Sequence, residues 1–475
     1  MSVLGLPTLL SGMGAWSSLP AVIDMVDTEV PSRVSIFQGY VWILLISFLT
    51  TLVATPIMRQ LAVRNGVIDR PSEARKVHRM PIAYLGGAAV FLGLMAGIFW
   101  SYIGIFVPGM VDYHRIKDVT DGVAGIDGLD PRMVRPSIVL GMMAIVVVGL
   151  IDDVTGISPR VKLGGQLFAA AALAIDDVGV NVARGVMAPI GKFFGNELMT
   201  WQIPLPMPIP LLNTEHIQID LIYWTGTAII ALFVLGACNA SNLIDGLDGL
   251  LTGTTTICTA GLLVVALGLA LVDDGPRDAQ RIVLCMALLG ACLGFLPHNF
   301  NPATIFLGDA GSLLMGFMTI VIVLTLGDTG KTQLVLAGLI IYAIPLIDTA
   351  LAIVRRKMAG KSISSADSDH LHHMLKRALG VKGAVLVLYG IGIAFATLGV
   401  GISMGRARVT YALTLIFVSY IAVTAIKIAR KKQIEEQAAA YDAKAHAIAA
   451  SKVQAPVEPP PMSTELVGTD QAKSA

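Results

Sequence analysis

Charge is what this sequence has least of. Asp, Glu, Lys and Arg make up 14% of its 475 residues, against 55% apolar residues. A soluble chain carries charge at about 25% of its positions. With a mean hydropathy of +0.73, this one lacks the residues to coat a water-facing surface. A soluble globular protein is excluded, and an integral membrane protein is left. Net charge is also small, at +1. Without an excess of Lys and Arg there is little to drive binding to a phosphate backbone, so nucleic acid is excluded as a partner. Cysteine is scarce as well. Cys238, Cys258, Cys285 and Cys292 all lie inside apolar runs, with no Cys-x-x-Cys pair, so neither a disulfide framework nor a thiolate metal site is expected. A cleavable leader is not expected either. The start is not basic, and Asp24, Asp27 and Glu29 precede the first long apolar stretch.

Long apolar runs are what the sequence has in abundance. A hydrocarbon core about 30 Å thick takes about 20 helical residues to cross. Eleven segments qualify: 36–58, 84–106, 136–151, 161–176, 219–238, 250–272, 282–298, 311–326, 332–353, 383–402 and 409–427. The expected fold is therefore all-α and polytopic, with about 11 transmembrane helices. Basic residues set the orientation. Arg59, Arg64, Arg70, Arg75, Lys76 and Arg79 crowd one loop, and Arg355, Arg356, Lys357, Lys361, Lys376, Arg377 and Lys382 another. With eleven spans these loops, the Arg160/Lys162 loop and the Lys427–Lys432 cluster share one face, while Asp-rich loops 107–135 and 273–278 share the other. The reading is N-terminus outside, C-terminus inside. It divides the chain into an extracytoplasmic segment 1–35, a membrane domain 36–427 and a cytoplasmic tail 428–475. From about 433 the tail turns Ala-, Glu- and Gln-rich, then Pro-rich, and reads as largely disordered.

Five polar loops fall on the expected cytoplasmic face. The first holds Lys76, His78 and Gly86-Gly87; the second Asp152-Asp153 and Lys162; the third Asn242-Leu-Ile-Asp245-Gly-Leu-Asp248. The fourth runs from Asn299 through Phe306 to Gly308-Asp309-Ala-Gly311-Ser312. The last follows Asp348 and contains Asp367, Asp369, His370, His372 and His373. Singly, each has a bland reading. Asp152-Asp153 suits a solvated helix end, Asp245 to Asp248 a turn, Gly308-Asp309 a helix start, and the histidines a zinc tract. Five such loops on one side, at a boundary where ionisable groups are costly, point instead to function. Carboxylates with Asn and no Cys suit Mg²⁺, with Mn²⁺ as an alternative. His, Lys and Arg beside them suit phosphate oxygens. Together they suggest phosphoryl chemistry between a water-soluble nucleotide and a lipid phosphate.

With these five motifs in this order, residues 40–425 resemble the polyprenyl-phosphate N-acetylhexosamine-1-phosphate transferase superfamily. Within it they look most like bacterial undecaprenyl-phosphate N-acetylglucosaminyl 1-phosphate transferases. The resemblance implies transfer of N-acetylglucosamine 1-phosphate from UDP-GlcNAc to undecaprenyl or decaprenyl phosphate, with release of UMP, to prime a cell-envelope glycan. It implies Mg²⁺, an active site on the cytoplasmic face of the bacterial inner membrane, and contact with membrane lipid. A homodimer is left open. By the same resemblance Asp152 and Asp153 match the catalytic Asp pair, Lys162 a phosphate contact, Asn242 and Asp309 the metal ligands, with Asp309 also counted as catalytic. Asp248 and Phe306 match the uridine contacts, and His370, His372 and His373 the motif holding pyrophosphate or sugar. Lys76, His78, Asp245 and Asn299 join the substrate-binding set. Two positions depart from the family pattern, Ser362-Ile363-Ser364 and Ser368, and both lie in the loop that shapes sugar choice. Alternatives are the same reaction with another UDP-N-acetylsugar, such as the muramoyl-pentapeptide, or a transporter of a phosphorylated solute. A transporter places its polar groups near the bilayer midplane; here they gather at loop depth.

Overall fold

As far as they are described, the eleven apolar segments fall mainly on helix in the computed structural model. It describes residues 32–69, 81–113, 130–209, 214–272, 277–358, 370–405 and 408–421, with a few positions beyond as far as 438. In chain order the elements begin with α1 (Arg33–Arg64), β1 (Ile68–Asp69), β2 (Ile82–Ala83) and α2 (Gly86–Phe106). There follow α3 (Pro136–Thr155), α4 (Pro159–Ile175), α5 (Val182–Phe193), β3 (Thr200–Ile209), β4 (Thr214–Asp220) and α6 (Leu221–Ile244). The remainder are α7 (Leu250–Ala270), α8 (Asp278–Asn299), α9 (Gly308–Thr325), α10 (Thr332–Ile341), α11 (Ala343–Met358) and α12 (Leu371–Ser403), then α13 (Arg408–Ile421). Among the described residues, eight helices are individually long and apolar enough to cross a bilayer, or nine with α10 and α11 taken as one bent span. The protein is a polytopic membrane protein.

Three helices lie innermost, although none is more apolar than the lipid-facing α1. Of their most apolar stretches, 78% of α7, 89% of α8 and 89% of α9 is buried, against 28% of α1. Lipid supplies no hydrophobic drive between helices, so close backbone approach does the packing. On α8, Gly290 and Gly294 lie one turn apart and meet α1 at the carbonyls of Leu44 and Phe48, where a Cβ on either glycine would collide. Ser47 Oγ donates to Ala287 O across the same contact at 2.6 Å.

Two expectations need correcting. The chain is not all-α: β1–β2 and β3–β4 form two antiparallel two-stranded sheets. The segment 332–353 is two helices bent by 78°. Pro345, in the first turn of α11, removes the N–H that would bond to Ile341, and its ring would clash with that carbonyl. The expected span 383–402 falls on helix, and ahead of it a further helical segment starts at Leu371 and ends at a break at Gly380, whose φ of +72° suits glycine. The histidine motif therefore sits at a helix start.

Candidate active site

Helix ends from most of the chain converge at one end of the bundle: the C-termini of α3, α6 and α8, the N-termini of α4, α9 and α12, and the β1–β2 hairpin. Asp153 builds the centre. Its carboxylate accepts from the backbone N–H of Asp309 at 2.7 Å and of Ala310 at 3.1 Å. It thus caps the N-terminus of α9, where the helix dipole favours an anion. Gly308 is required there: its φ is +69°, and a Cβ would run into the Asp153 carboxylate.

Asp152 points elsewhere. Its Oδ1 accepts from Ile157 N at 2.8 Å, closing the α3–α4 turn, and its Oδ2 lies 2.5 Å from Lys162 Nζ. The same ammonium bonds to Asp309 Oδ2. Asn242 donates to Asp309 Oδ1 at 2.8 Å and to Ser312 Oγ at 2.9 Å, which leaves its amide carbonyl for a ligand. Two carboxylates thus already hold a cation between them, and the adjacent amide offers a third oxygen. That donor set suits a hard, oxygen-loving ion.

Beside this cluster opens a cavity of about 310 Å³, lined by Asn242, Asp245, Asp248, Asn299, Phe306, Asp309 and His373, and also by Asp69 and Tyr84. Asp245 faces it from the turn after α6. Enclosure by protein, and then the negative charges of Asp309, Asp153 and Asp248, push its carboxyl up to about 8. Asp248 Oδ2 accepts from Asn301 Nδ2 at 2.8 Å and Ala303 N at 3.1 Å, fastening the loop that carries Phe306. Asn299 is buried and committed: it accepts from Thr252 Oγ1 and donates to Ile305 O. Phe306 is placed by main-chain bonds to the segment before α2, from Phe306 N to Ala83 O and from Gly86 N to Phe306 O. This sets its ring 6.1 Å from that of Tyr84. The Tyr84 hydroxyl bonds to Asp69, and burial, then the Asp69 charge, hold its pKa well above the usual value.

The three histidines separate. His373 lines the cavity. His370 and His372 are buried, and both present Nδ1 to one oxygen of Asp348, at 3.0 and 3.3 Å. The other Asp348 oxygen caps Leu371 N at 2.8 Å. These three side chains also form a group with metal-ligand spacing among the described residues. Lys76 and His78 lie outside the described residues.

Comparison with known proteins now bears on this geometry. Residues 136–327 match the model of glycosyl transferase family 4. A probable undecaprenyl-phosphate N-acetylglucosaminyl 1-phosphate transferase from Bacillus subtilis is 31% identical over 379 residues, 79% of this chain and 88% of that protein. A decaprenyl-phosphate N-acetylglucosaminephosphotransferase from Mycobacterium tuberculosis is 32% identical over 354 residues, 71% of this chain and 76% of its own. From Escherichia coli, an undecaprenyl-phosphate alpha-N-acetylglucosaminyl 1-phosphate transferase is 28% identical over 361 residues, 74% and 81% of the two chains. The chain belongs to this family of polyprenyl-phosphate N-acetylglucosamine-1-phosphate transferases.

The stretch matching glycosyl transferase family 4 runs from α3 to the turn after α9 and contains the whole Asp152–Lys162–Asn242–Asp309 cluster. Residues that sequence reasoning passed over lie outside it. Asp69 and Tyr84 flank the basic first loop, and that adjacency was their one signal. Asp348 was named at the head of the last loop but given no role, although a lone acid in the apolar run Ile344–Ala352 needs a partner.

Proposed function

We propose that this protein transfers N-acetylglucosamine 1-phosphate from UDP-GlcNAc to a polyprenyl phosphate at the cytoplasmic face of a bacterial inner membrane. The supporting observation is the meeting of Asp152, Lys162, Asn242 and Asp309 beside an open cavity at the end of a membrane-spanning bundle. A nucleotide sugar can enter such a site from water and a lipid phosphate from the bilayer. The named relatives act with N-acetylglucosamine on undecaprenyl or decaprenyl carriers, which is why that sugar is preferred over other N-acetylsugars.

In this reading a phosphate oxygen of the lipid attacks the phosphorus that bears the sugar. The bond from that phosphorus to the UMP oxygen breaks, giving a lipid diphosphate sugar and UMP. The acceptor monoester has a second pKa of about 6, and anionic neighbours keep its proton on longer. Asp152 takes that proton, a role worth about 10²–10⁴-fold. Lys162 holds Asp152 and Asp309 together and faces the phosphates. Asp309 and Asn242 would hold Mg²⁺ or Mn²⁺, which when bound neutralises charge on the diphosphate. Phe306, with Tyr84 beside it, offers the face on which uracil stacks, and Asp248 and Asp245 line the same wall. His373 reaches the donor's phosphates or sugar. His370 and His372, turned to Asp348, hold His373 in place, and Asp153 and Asn299 keep the two loops in register. Lys76 and His78 keep the substrate-binding role that the resemblance implies.

The test is release of UMP when full-length protein in lipid vesicles meets UDP-GlcNAc and polyprenyl phosphate, with the lipid-linked sugar recovered. Release from a different UDP-N-acetylsugar alone would move the reading to that donor. No release from any UDP-sugar would overturn it.

A further inference from the structure

The chain between α4 and α6 leaves the bundle at the end opposite the cavity, because α4 begins and α6 ends at the active site. There it builds α5 and the β3–β4 hairpin, and both are amphipathic. Ala183, Met187 and Gly191, spaced i, i+4 and i+8, pack inward: Ala183 forms a small buried cluster with Met199 and Ile222, joined by Met187, and Gly191 is buried. Next to that inward arc lie Val186, Ile190 and Phe193, spaced i, i+4 and i+7, all exposed, Phe193 at 84%. Arg184 and Lys192 take the remaining arc and are also exposed. The hairpin repeats the pattern. Trp201 pairs with Ile219 and Ile203 with Ile217. These four side chains therefore share one face, and each is exposed. The other face carries the pair Gln202 and Gln218.

What covers this apolar surface follows from where it begins and ends. Ile175, at the last turn of α4, is 81% exposed, and Trp224, in the first turn of α6, is 61% exposed. On α4 the exposed Leu163, Leu167 and Phe168 carry the same apolar belt down the bundle. The surface of α5 and the hairpin is thus continuous with the lipid-facing sides of the helices it joins. Apolar side chains toward acyl chains, with Arg and Lys toward head groups, is how a helix lies in a bilayer interface, and Trp favours that depth. The buried contacts of Ala183, Met199 and Ile222, with the bond from Leu221 N to Met199 O at 3.1 Å, hold the unit rigidly on α6. We propose that α5 and the β3–β4 hairpin form an interfacial anchor, seated in the lipid surface on the side of the membrane away from the cavity, that fixes the depth of the bundle.

Spin labelling of full-length protein tests this. The four native cysteines are buried, so a single introduced cysteine carries the label. In vesicles of phosphatidylethanolamine and phosphatidylglycerol, labels on Phe193→Cys, Ile203→Cys and Ile217→Cys should be several-fold more accessible to oxygen than to a water-soluble nickel chelate. Labels on Arg184→Cys and Gln218→Cys should show the reverse. Ile203 and Ile217 report one face, so loss of either variant leaves the other to decide. Equal nickel accessibility at all positions would overturn the proposal. So would low accessibility to both reagents with dipolar broadening between labels, since a second copy of the chain would then be the occupant.

Discussion

Asp152 and Asp153 are adjacent in sequence and bonded to different partners, and substitution separates them. Asp153→Ala strips the acceptor from two N–H groups at the start of α9. It should cost about 2 kcal/mol, the upper end for a lost cap, visible as a lower melting temperature in detergent. Asp152→Asn disturbs only a partly exposed ion pair, so melting should change little, while UMP release falls by about 10²–10⁴-fold. If Asp152→Asn melts early and Asp153→Ala keeps full stability, the two assignments are reversed. Asp309→Asn keeps the side chain's shape but not its charge. Turnover should drop by about two orders of magnitude or more, and an unchanged rate with an unchanged Mg²⁺ dependence would remove Asp309 from the metal site. Asp245 gives a pH dependence. Its carboxyl, pushed up to about 8, binds a proton more tightly folded than unfolded. Its stabilising proton is fully present below the unfolded pKa of about 4 and is lost as pH rises through about 8. In metal-free protein, Asp245→Asn should therefore melt higher than wild type at pH 8, with the gap closing toward pH 4. A gap that widens in acid would show the carboxyl to be ionised throughout.

Elements whose environment is lipid or protein core were legible in the sequence, because both demand unbroken apolar helix. Elements positioned by contacts distant in the chain were not. The β3 strand carries Pro204, Pro206 and Pro208, which demote a strand signal, although Trp201-Gln202-Ile203 already alternates. His370, His372 and His373 read as three equal donors. Their division follows from Asp348, 22 residues before His370, and no local pattern encodes that pairing. The bend between α10 and α11 was available from Pro345, but the apolar run around it read as one span. The Gly290-x-x-x-Gly294 face of α8 yields a prediction at this scale. Ala raises helix propensity by about 1 kcal/mol over Gly, yet a Cβ at Gly290 meets the Leu44 carbonyl of α1. Overpacking of this kind costs about 1–3 kcal/mol. Gly290→Ala should lower the melting temperature, whereas Gly236→Ala on α6, where a Cβ meets nothing, should not. Equal melting of the two variants would mean that α1 and α8 separate easily.

At the scale of the whole molecule, sidedness rests on α4. Its 17 residues reach about 25 Å at 1.5 Å per residue, short of a hydrocarbon core of about 30 Å, so length alone does not settle whether it crosses. Its surroundings argue that it does. The Lys162 end is tied to Asp152 and Asp309, the far end runs on toward α5, and the exposed Leu163, Leu167, Phe168 and Ile175 suit lipid along its length. A shorter span is accommodated by local thinning of the bilayer at modest cost. With α4 crossing, Arg59, Arg64 and Arg160 share the cavity end. Asp176, Asp278 and Asp328 gather at the other, where Arg277 bonds to Asp328 at 3.0 Å and Arg281 to Asp278 at 2.6 Å. Basic residues near span ends stay in the cytoplasm, which supports the proposed orientation, with the cavity inward and the hairpin outward. Cysteines placed at exposed Ser158 and Glu197, the first at the head of α4 and the second between α5 and β3, should then behave oppositely in intact cells. A membrane-impermeant maleimide should label Glu197→Cys from outside and should reach Ser158→Cys only after lysis, against a silent background from the buried native cysteines. Labelling of both from one side would mean that α4 does not cross, and labelling of Ser158→Cys alone in intact cells would invert the protein.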